Sequence, residues 1–446
     1  MKVISVPWFK DADCQIWRIA GPSILSNVST ALIGIVDTWA IGHLSEEAPL
    51  AGLATGAFVI TMIYVTFGFV RMGTTGLAAQ AFGANRRRRL VSITLRAIVV
   101  GAGVGLLILA LSDVIASAAI SVWTLSGDTA TFARTYLDIR LLGAPAYLVH
   151  MGIVGFLIGT QRARTALLIE LILNSTNVLL TLWFVIGLDW GVAGAARASV
   201  IAEWLAALSG FAIVIMVHGP ARVSVVVRQR RFWRLQAFYE LTMVNVFILL
   251  RTLFLEFVFA LLSITGGRLG DDVLAANHIL LQLVMLASLG LYGVSSATQA
   301  LVGAAKGAGS RAMFHFWSRR TAIWALLVSF VYAIAYGLAG KSIVASLTDV
   351  ESVRAAAYQQ IHWFAFLPLI AVWSYQLDGI FIGATGVRPM MWGMSFSAFV
   401  FVIAWWQLVP AFGNDGLWAA FIIFFAARAL SLAFCYPGLA RLVPRV

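Results

Sequence analysis

The chain has 446 residues, of which 61% are hydrophobic and only 11% are charged, and its formal net charge is +12. A soluble globular protein must cover its core with polar surface, so this composition excludes that class and predicts an all-α polytopic membrane protein. The two cysteines, Cys14 and Cys435, are far apart and show no disulfide or metal-ligand spacing. No metal site and no cofactor are therefore expected.

Apolar runs separated by short polar breaks predict twelve transmembrane helices, since about 20 apolar residues span a bilayer. Prolines lie within or at the edge of four of these spans, where a kink or a helix end is expected. The prolines are Pro22, Pro145, Pro368 and Pro410. The predicted spans are residues 16–42, 50–81, 91–123, 130–160, 164–187, 192–217, 236–264, 273–304, 313–343, 353–384, 388–410 and 416–439.

The charges of the breaks alternate along the chain. Breaks after even-numbered helices carry arginines, as at 86–89 and 222–234, and the break after the tenth helix carries only Arg388. Breaks after odd-numbered helices carry acids such as Asp128 and Asp349. The positive-inside rule therefore predicts that both termini are cytoplasmic and that the protein lies in the cytoplasmic (inner) membrane. These arginines are expected to contact membrane lipids, so the positive charge needs no nucleic-acid partner.

The second half of the chain repeats the first at an offset of about 224 residues. The sequence GFLIG at 155–159 and Arg164 match GIFIG at 379–383 and Arg388. Such a duplication is typical of transporters and predicts two pseudo-symmetric six-helix bundles around a central cleft, which permits alternating access. The predicted parts are an N-terminal lobe (1–218), a basic cytoplasmic linker (219–235) and a C-terminal lobe (236–446).

Asp37 lies in the apolar run 31–41 of the first predicted helix. A carboxylate at membrane depth costs about 2.5–3.5 kcal/mol on insertion scales, so its presence indicates a function. Its counterpart in the repeat is Leu262, so the acid is not shared architecture. Four more polar or small residues share its helix face at spacings of three and four. They are Ser23, Asn27, Thr30 and Gly34. For Ser23 and Asn27, an interhelical hydrogen-bond seam is an equal alternative.

The fifth and sixth helices supply further candidates for the same cavity. Asn174, Asn177 and Thr181 lie on one face of the fifth helix, and Ser199 and Glu203 lie on the sixth. Glu203 is roughly 18 Å from the outer end of its helix, near mid-membrane, which makes it a second candidate for proton coupling. The alternative for Glu203 is a structural salt bridge.

Four more residues in the spans are ambiguous. Met62 and Met285 are candidate walls for varied apolar ligands, with the filling of core gaps as the alternative. Arg251 and Glu256, in the seventh helix, suit either an ion pair or a gating contact.

Several motifs together resemble the multidrug and toxic compound extrusion (MATE) family, in its DinF-like branch. They are LSN at 25–27, VDT at 36–38, RMGTTGLAAQAFGA at 71–84, GFLIGTQRAR at 155–164 and DGIFIGA at 378–384. The resemblance runs over nearly the whole chain. It implies twelve helices in two lobes and efflux of amphipathic cations in exchange for protons or sodium.

Carried over by position, the resemblance implies roles for three residues. Asp37 matches the first-helix carboxylate proposed to take the proton, Asn177 matches an asparagine of the drug cavity, and Ser199 matches a hydroxyl position. Two acids found in many relatives are replaced here by Thr181 and Phe247. A site with several carboxylates is therefore disfavoured, and Asp37, helped by Glu203, is the expected coupler.

The predicted function is proton-coupled antiport of amphipathic small molecules by a monomer. Burial favours the neutral form of a carboxylate, which would let Asp37 load and release a proton. Sodium coupling is the second alternative. A third is a lipid-linked sugar flippase, which needs several mid-membrane cations, and only Arg197 and Arg251 are deep enough. An enzyme is not predicted, because Gly73–Gly76 lacks the spacing and lysine of a phosphate-binding loop.

Overall fold

The computed structural model describes residues 9–42 and 47–444, and the side chains of residues 9–10, 31–35, 37–38, 40–42 and 47–49 are outside that description. Within these ranges every regular element is helical. The chain divides into two compact units, one of residues up to 24 and from 246 onward, the other of residues 25–245. The lobe and linker boundaries predicted from the sequence stay a prediction.

The unit of residues 25–245 contains the second half of α1 and nine further complete helices of the described chain. A 3-10 turn (Leu141–Gly143) joins α6 to α7, and a π-helical turn (Leu182–Gly187) extends α8. The helices are α1 (Phe9–Gly42), α2 (Glu47–Thr66), α3 (Phe69–Gly83), α4 (Arg87–Ala110), α5 (Ser112–Val122), α6 (Gly127–Arg140), α7 (Ala144–Gly159), α8 (Ala163–Thr181), α9 (Gly191–His218) and α10 (Pro220–Arg228). The short helix α10, inside the predicted linker, was not expected.

The other unit contains the first half of α1 and is otherwise built from long helices, the first of which begins at residue 235 in the unit of residues 25–245. They are α11 (Leu235–Leu269), α12 (Asp271–Gly307), α13 (Arg311–Leu347), α14 (Glu351–Gly383) and α15 (Val387–Arg441). The helix α15 contains both the eleventh and the twelfth predicted spans, which are separated by Gly413 with φ 56° and ψ −127°. Only glycine adopts such a conformation readily, so the chain changes direction there rather than at the predicted position, Pro410.

Ten helical stretches of the described residues are long and apolar enough to cross a membrane. That number includes α15 once, although each of its two arms exceeds the roughly 20 residues that a span needs. It does not include α1. With α1 added and the two arms of α15 taken separately, the stretches match the twelve predicted spans. The protein is a multi-pass helical membrane protein.

The internal repeat is visible in the packing of equivalent glycines. A Cβ placed on Gly155 would meet the backbone oxygen of Arg71 at 2.5 Å and the side chain of Thr74 at 3.0 Å. A Cβ placed on Gly379 would meet Ser295 and Thr298 at 2.7–3.1 Å. Each of these three residues lies 224 positions after its counterpart in the first half. The same helix crossing, which tolerates only glycine, is therefore built once in each unit.

Two turns repeat with the same offset. Asn85 and Gly309 both have positive φ, at 53° and 73°, and Gln161 and Thr385 do so at 61° and 51°. Each pair is 224 residues apart. Since the left-handed conformation is unusual outside glycine, its recurrence at matching positions supports the duplication inferred from the sequence.

The beginning of α1 is fixed to α13 by Asp13. The carboxylate accepts hydrogen bonds from Arg320 Nε at 2.7 Å and Nη2 at 2.6 Å, and from Trp324 Nε1 at 2.8 Å. Trp17 packs edge-on against Trp324 with a centroid distance of 5.2 Å. The Arg320 guanidinium lowers the pKa of the Asp13 carboxyl below its usual value.

We expect Asp13→Asn to destabilise the protein slightly at neutral pH, by about 1 kcal/mol or less, because the ion pair is partly exposed. The sign follows from linkage. A carboxyl group with a lowered pKa stabilises the fold above its unfolded pKa, and this contribution is lost as the pH falls through the folded value. Thermal unfolding between pH 7 and pH 3 should show a difference between wild type and variant that vanishes at acidic pH. A difference that grows on acidification would contradict this assignment.

Candidate functional site

Two hydrogen bonds between amide and hydroxyl groups connect α8 to α1 and to α9 inside the unit of residues 25–245. Asn174 Nδ2 donates to Ser29 Oγ at 2.6 Å, and Asn177 Nδ2 donates to Ser199 Oγ at 2.8 Å. Asn174, Asn177 and Ser199 are all buried. The structure thus brings three of the predicted site residues together, and it adds Ser29, which the predicted face of α1 did not include.

Each of these two asparagines also has an acceptor oxygen that makes no hydrogen bond within the described residues. Asn174 Oδ1 and Asn177 Oδ1 are buried and have no hydrogen-bond partner in the described part of the chain. A buried carbonyl oxygen without a partner is costly, about 1–3 kcal/mol, so such atoms call for an explanation. Oxygen atoms of this kind suit a bound cation or a donor group of a substrate.

The remaining predicted residues of the cavity are distributed as follows. Thr181 is fully buried, one turn beyond Asn177 on α8, whereas Thr30 is exposed and its hydroxyl donates to its own helix at Ser26 O. Asn27 is partly buried. Helix α1 includes positions 34 and 37, but the side chains of Gly34 and Asp37 lie outside the described residues. Their predicted roles stay predictions.

Glu203 is the centre of a second buried group, adjoining the first. Its Oε1 accepts from Arg140 Nη1 at 2.9 Å and from the Tyr64 hydroxyl at 3.0 Å. The other oxygen, Oε2, lies against Gly143, where any Cβ would collide with it. The ring of Tyr64 stacks on that of Tyr147, with centroids 3.6 Å apart. Arg140 is thus the ion-pair partner that the sequence did not identify, and Arg197 instead lies over the ring of Trp190.

A further buried acid lies nearby in the same unit. His150 Nε2 and Glu170 Oε1 are 3.1 Å apart, and both side chains are buried. His150 Nδ1 has no partner among the described residues. Neither residue was singled out from the sequence, although a histidine and a glutamate inside apolar runs give the same signal as Asp37.

The other unit also contains a group of buried charged side chains, and in this group cations outnumber anions. Asp378 Oδ2 accepts hydrogen bonds from Nη2 of both Arg251 and Arg428. All three side chains are at most 4% exposed. This group joins α11, α14 and α15 with two cations and one anion. Arg251 is therefore in an ion pair, and its partner is Asp378 rather than Glu256.

The two methionines lie on surfaces of their own units. Met62 on α2 is 39% exposed and Met285 on α12 is 61% exposed. Neither fills a core gap, which removes the alternative considered for them, and their predicted contact with a substrate stays a prediction.

Taken together, the described chain is a multi-pass helical protein with polar groups buried inside each of two similar units, an arrangement that is typical of membrane transporters. A family model described as MatE matches residues 22–183 and 248–406. The chain belongs to this family, as the motifs predicted. Its match covers both halves, in keeping with the duplication.

Individual relatives agree. The chain is 36% identical over 438 residues to the DNA damage-inducible protein F of Escherichia coli K12, covering 97% of this chain and 94% of that protein. The DinF-like branch is therefore confirmed. Among solved structures, a MATE protein in a bent conformation is 17% identical, with a TM-score of 0.87 over 97% of this chain and 96% of that one. A MOP superfamily transporter from Pyrococcus furiosus is 18% identical, with a TM-score of 0.85 over 96% of each chain. At these identities the structures show the fold alone.

Proposed function

We propose that this transporter exports amphipathic organic cations and related toxic compounds in exchange for protons, and that protonation of Asp37 is the coupling step. The observation that carries the proposal is the pair of hydrogen bonds that Asn174 and Asn177 make to Ser29 and Ser199, with two unused buried oxygens, in the unit that contains position 37. Such a group in an apolar membrane unit indicates a cavity that receives polar atoms of a ligand.

Helix register supports a place for Asp37 at this group. The first and fifth predicted spans, α1 and α8, run in the same direction because both are odd-numbered. Ser29 on α1 pairs with Asn174 on α8, so the position eight residues after Ser29 is expected near the level of Thr181, seven residues after Asn174. The carboxylate is then expected about one turn beyond the level of Asn177 and about 10 Å beyond that of Asn174, so Asn177 Oδ1 is the nearer of the two unused oxygens.

The proposed mechanism follows from charge. When Asp37 is ionised, it attracts a cationic substrate into the cavity, and when it takes a proton, that attraction disappears and the cation is released outward. A pH gradient supplies about 1.4 kcal/mol per unit for each proton, and a membrane potential about 2.3 kcal/mol per charge per 100 mV. The proposal includes the predicted inner-membrane location, with cytoplasmic termini, and a monomer without a cofactor. Glu203 is the second residue that we propose to assist coupling.

Sodium coupling is the second candidate, and one observation favours it. Asn177 Oδ1 and the Thr181 hydroxyl are neutral oxygens within about one turn of the expected level of Asp37, and hard cations bind to sets of oxygen ligands that include a carboxylate. The flippase alternative has less support. The buried arginines of the described chain, Arg140, Arg251 and Arg428, are each paired with a carboxylate rather than available to a diphosphate.

The test is ethidium transport by purified protein in liposomes, driven by a pH gradient or separately by a sodium gradient. We expect the pH gradient to drive transport by wild type, and Asp37→Asn to lower the rate at least tenfold, because asparagine keeps the shape but cannot change its charge. Asp138→Asn, in a partly exposed pair with Arg134, is the matched control and should transport normally. Normal transport by Asp37→Asn would contradict the role of Asp37, and transport driven by sodium alone would establish the second candidate.

A further inference from the structure

A groove of about 600 Å³ lies between the two arms of α15. Arg388, Trp392 and Phe396 line it from the first arm, and Ser431, Phe434 and Cys435 line it from the second. The volume is in the range of ligand pockets, about 300–1,000 Å³. Apart from Arg388 at one end, the lining is mostly apolar.

The floor of the groove is set by glycine. A Cβ on Gly393 would come within 2.8 Å of Ser431 Oγ, so the two arms approach each other closely there. The walls are open, since Trp392, Phe396 and Phe434 are 67%, 55% and 89% exposed. No residue of the described chain covers these side chains, so the groove between them is open to a ligand from outside.

Arg388 gives the groove a charged end. It lies in the first turn of α15, is exposed, and its guanidinium lies 5.4 Å from the ring centroid of Phe247. No carboxylate of the described chain is within ion-pair distance of it. Phe396 is eight residues further along, about 12 Å deeper. A cation that has no carboxylate partner among the described residues thus adjoins a strip of exposed apolar side chains.

We propose that this groove is a binding site for one anionic phospholipid. The phosphate pairs with the Arg388 guanidinium, which suits phosphate oxygens in geometry and charge. An acyl chain then follows Trp392 and Phe396 into the membrane and covers the floor at Gly393. Basic positions at the ends of membrane helices select anionic headgroups in this way. The inference is independent of the coupling ion and of the site at Asp37.

Cys435 provides a reporter inside the groove. The chain has two cysteines, so in Cys14→Ser the only thiol is that of Cys435. We expect N-ethylmaleimide, an uncharged reagent, to modify Cys435 at least threefold more slowly in nanodiscs with 30% phosphatidylglycerol than in nanodiscs of phosphatidylcholine alone. Arg388→Gln in the same background should abolish this difference, because the headgroup has lost its partner.

The matched control is Arg164→Gln, which changes the repeat-related exposed arginine in the other unit and should keep the protection. Equal rates in the two lipid mixtures with Arg388 present would overturn the proposal. Protection that persists in Arg388→Gln would also overturn it, since slowing by the surface potential of the bilayer does not need this arginine. Native mass spectrometry should in parallel show retained phosphatidylglycerol in wild type and its loss in Arg388→Gln.

Discussion

Replacing Asp378 by asparagine is expected to lower the free energy of unfolding by about 3–5 kcal/mol, the effect of removing one partner from a buried ion pair. Asp378 contacts the guanidinium groups of Arg251 and Arg428 at once, and all three side chains are buried. Without the carboxylate, two cations would remain close together and away from water. The variant should unfold at a markedly lower temperature, or at a lower concentration of a denaturing detergent, than wild type.

The charge balance of this group makes the prediction specific. Arg428→Met leaves a neutral pair of Arg251 and Asp378, so we expect it to cost much less than Asp378→Asn. In the double variant, Asp378→Asn with Arg428→Met, methionine removes one of the two unpaired cations. Part of the stability lost in Asp378→Asn should therefore return. Asp349→Asn is the control, because the pair of Asp349 with Arg354 is exposed and should contribute about 0–1 kcal/mol. An Asp378→Asn protein as stable as this control would refute the assignment.

Glu203→Gln is expected to have a comparable effect in the other unit, about 3–5 kcal/mol, since it leaves the Arg140 guanidinium buried without a carboxylate. Adding Arg140→Met removes that cation, and the double variant should recover most of the stability. Unfolding followed by tryptophan fluorescence would measure both effects. If the single variant were as stable as wild type, the ion pair would not be a stabilising contact.

The double variant also separates structure from coupling. Because Glu203→Gln with Arg140→Met is expected to fold, its transport rate reports on chemistry rather than on stability. The proposal that Glu203 assists coupling predicts that transport driven by a pH gradient stays at least tenfold below wild type. Glu170→Gln with His150→Leu, which removes the neighbouring buried pair, is the control and should transport normally. If the Glu203 double variant transported at the wild-type rate, Glu203 would have a structural role only and no role in coupling.

Helix positions were largely predictable, because lipid requires long apolar runs and leaves charges for the breaks. The predicted and observed ends of α9, residues 192–217 and Gly191–His218, differ by one residue at each end. The duplication was equally predictable, since GFLIG and GIFIG lie where backbones touch and only glycine fits. The site was predicted in part. Asn177 and Ser199, both predicted from neighbouring helix faces, do form a hydrogen bond with each other, and the cavity that they were assigned to stays a prediction.

What the sequence alone determined was therefore the class, the family, the number of spans and the presence of buried polar positions, because each depends on composition, short-range periodicity or motifs. Only the tertiary structure decided which buried charges meet. Arg140 and Glu203 are 63 residues apart, and Asp378 and Arg428 are 50 apart. Ionisable residues inside apolar runs are easily recognised in a sequence. Which of them pair depends on how the helices cross, and the periodicity along one helix does not predict which residues of a neighbouring helix it meets.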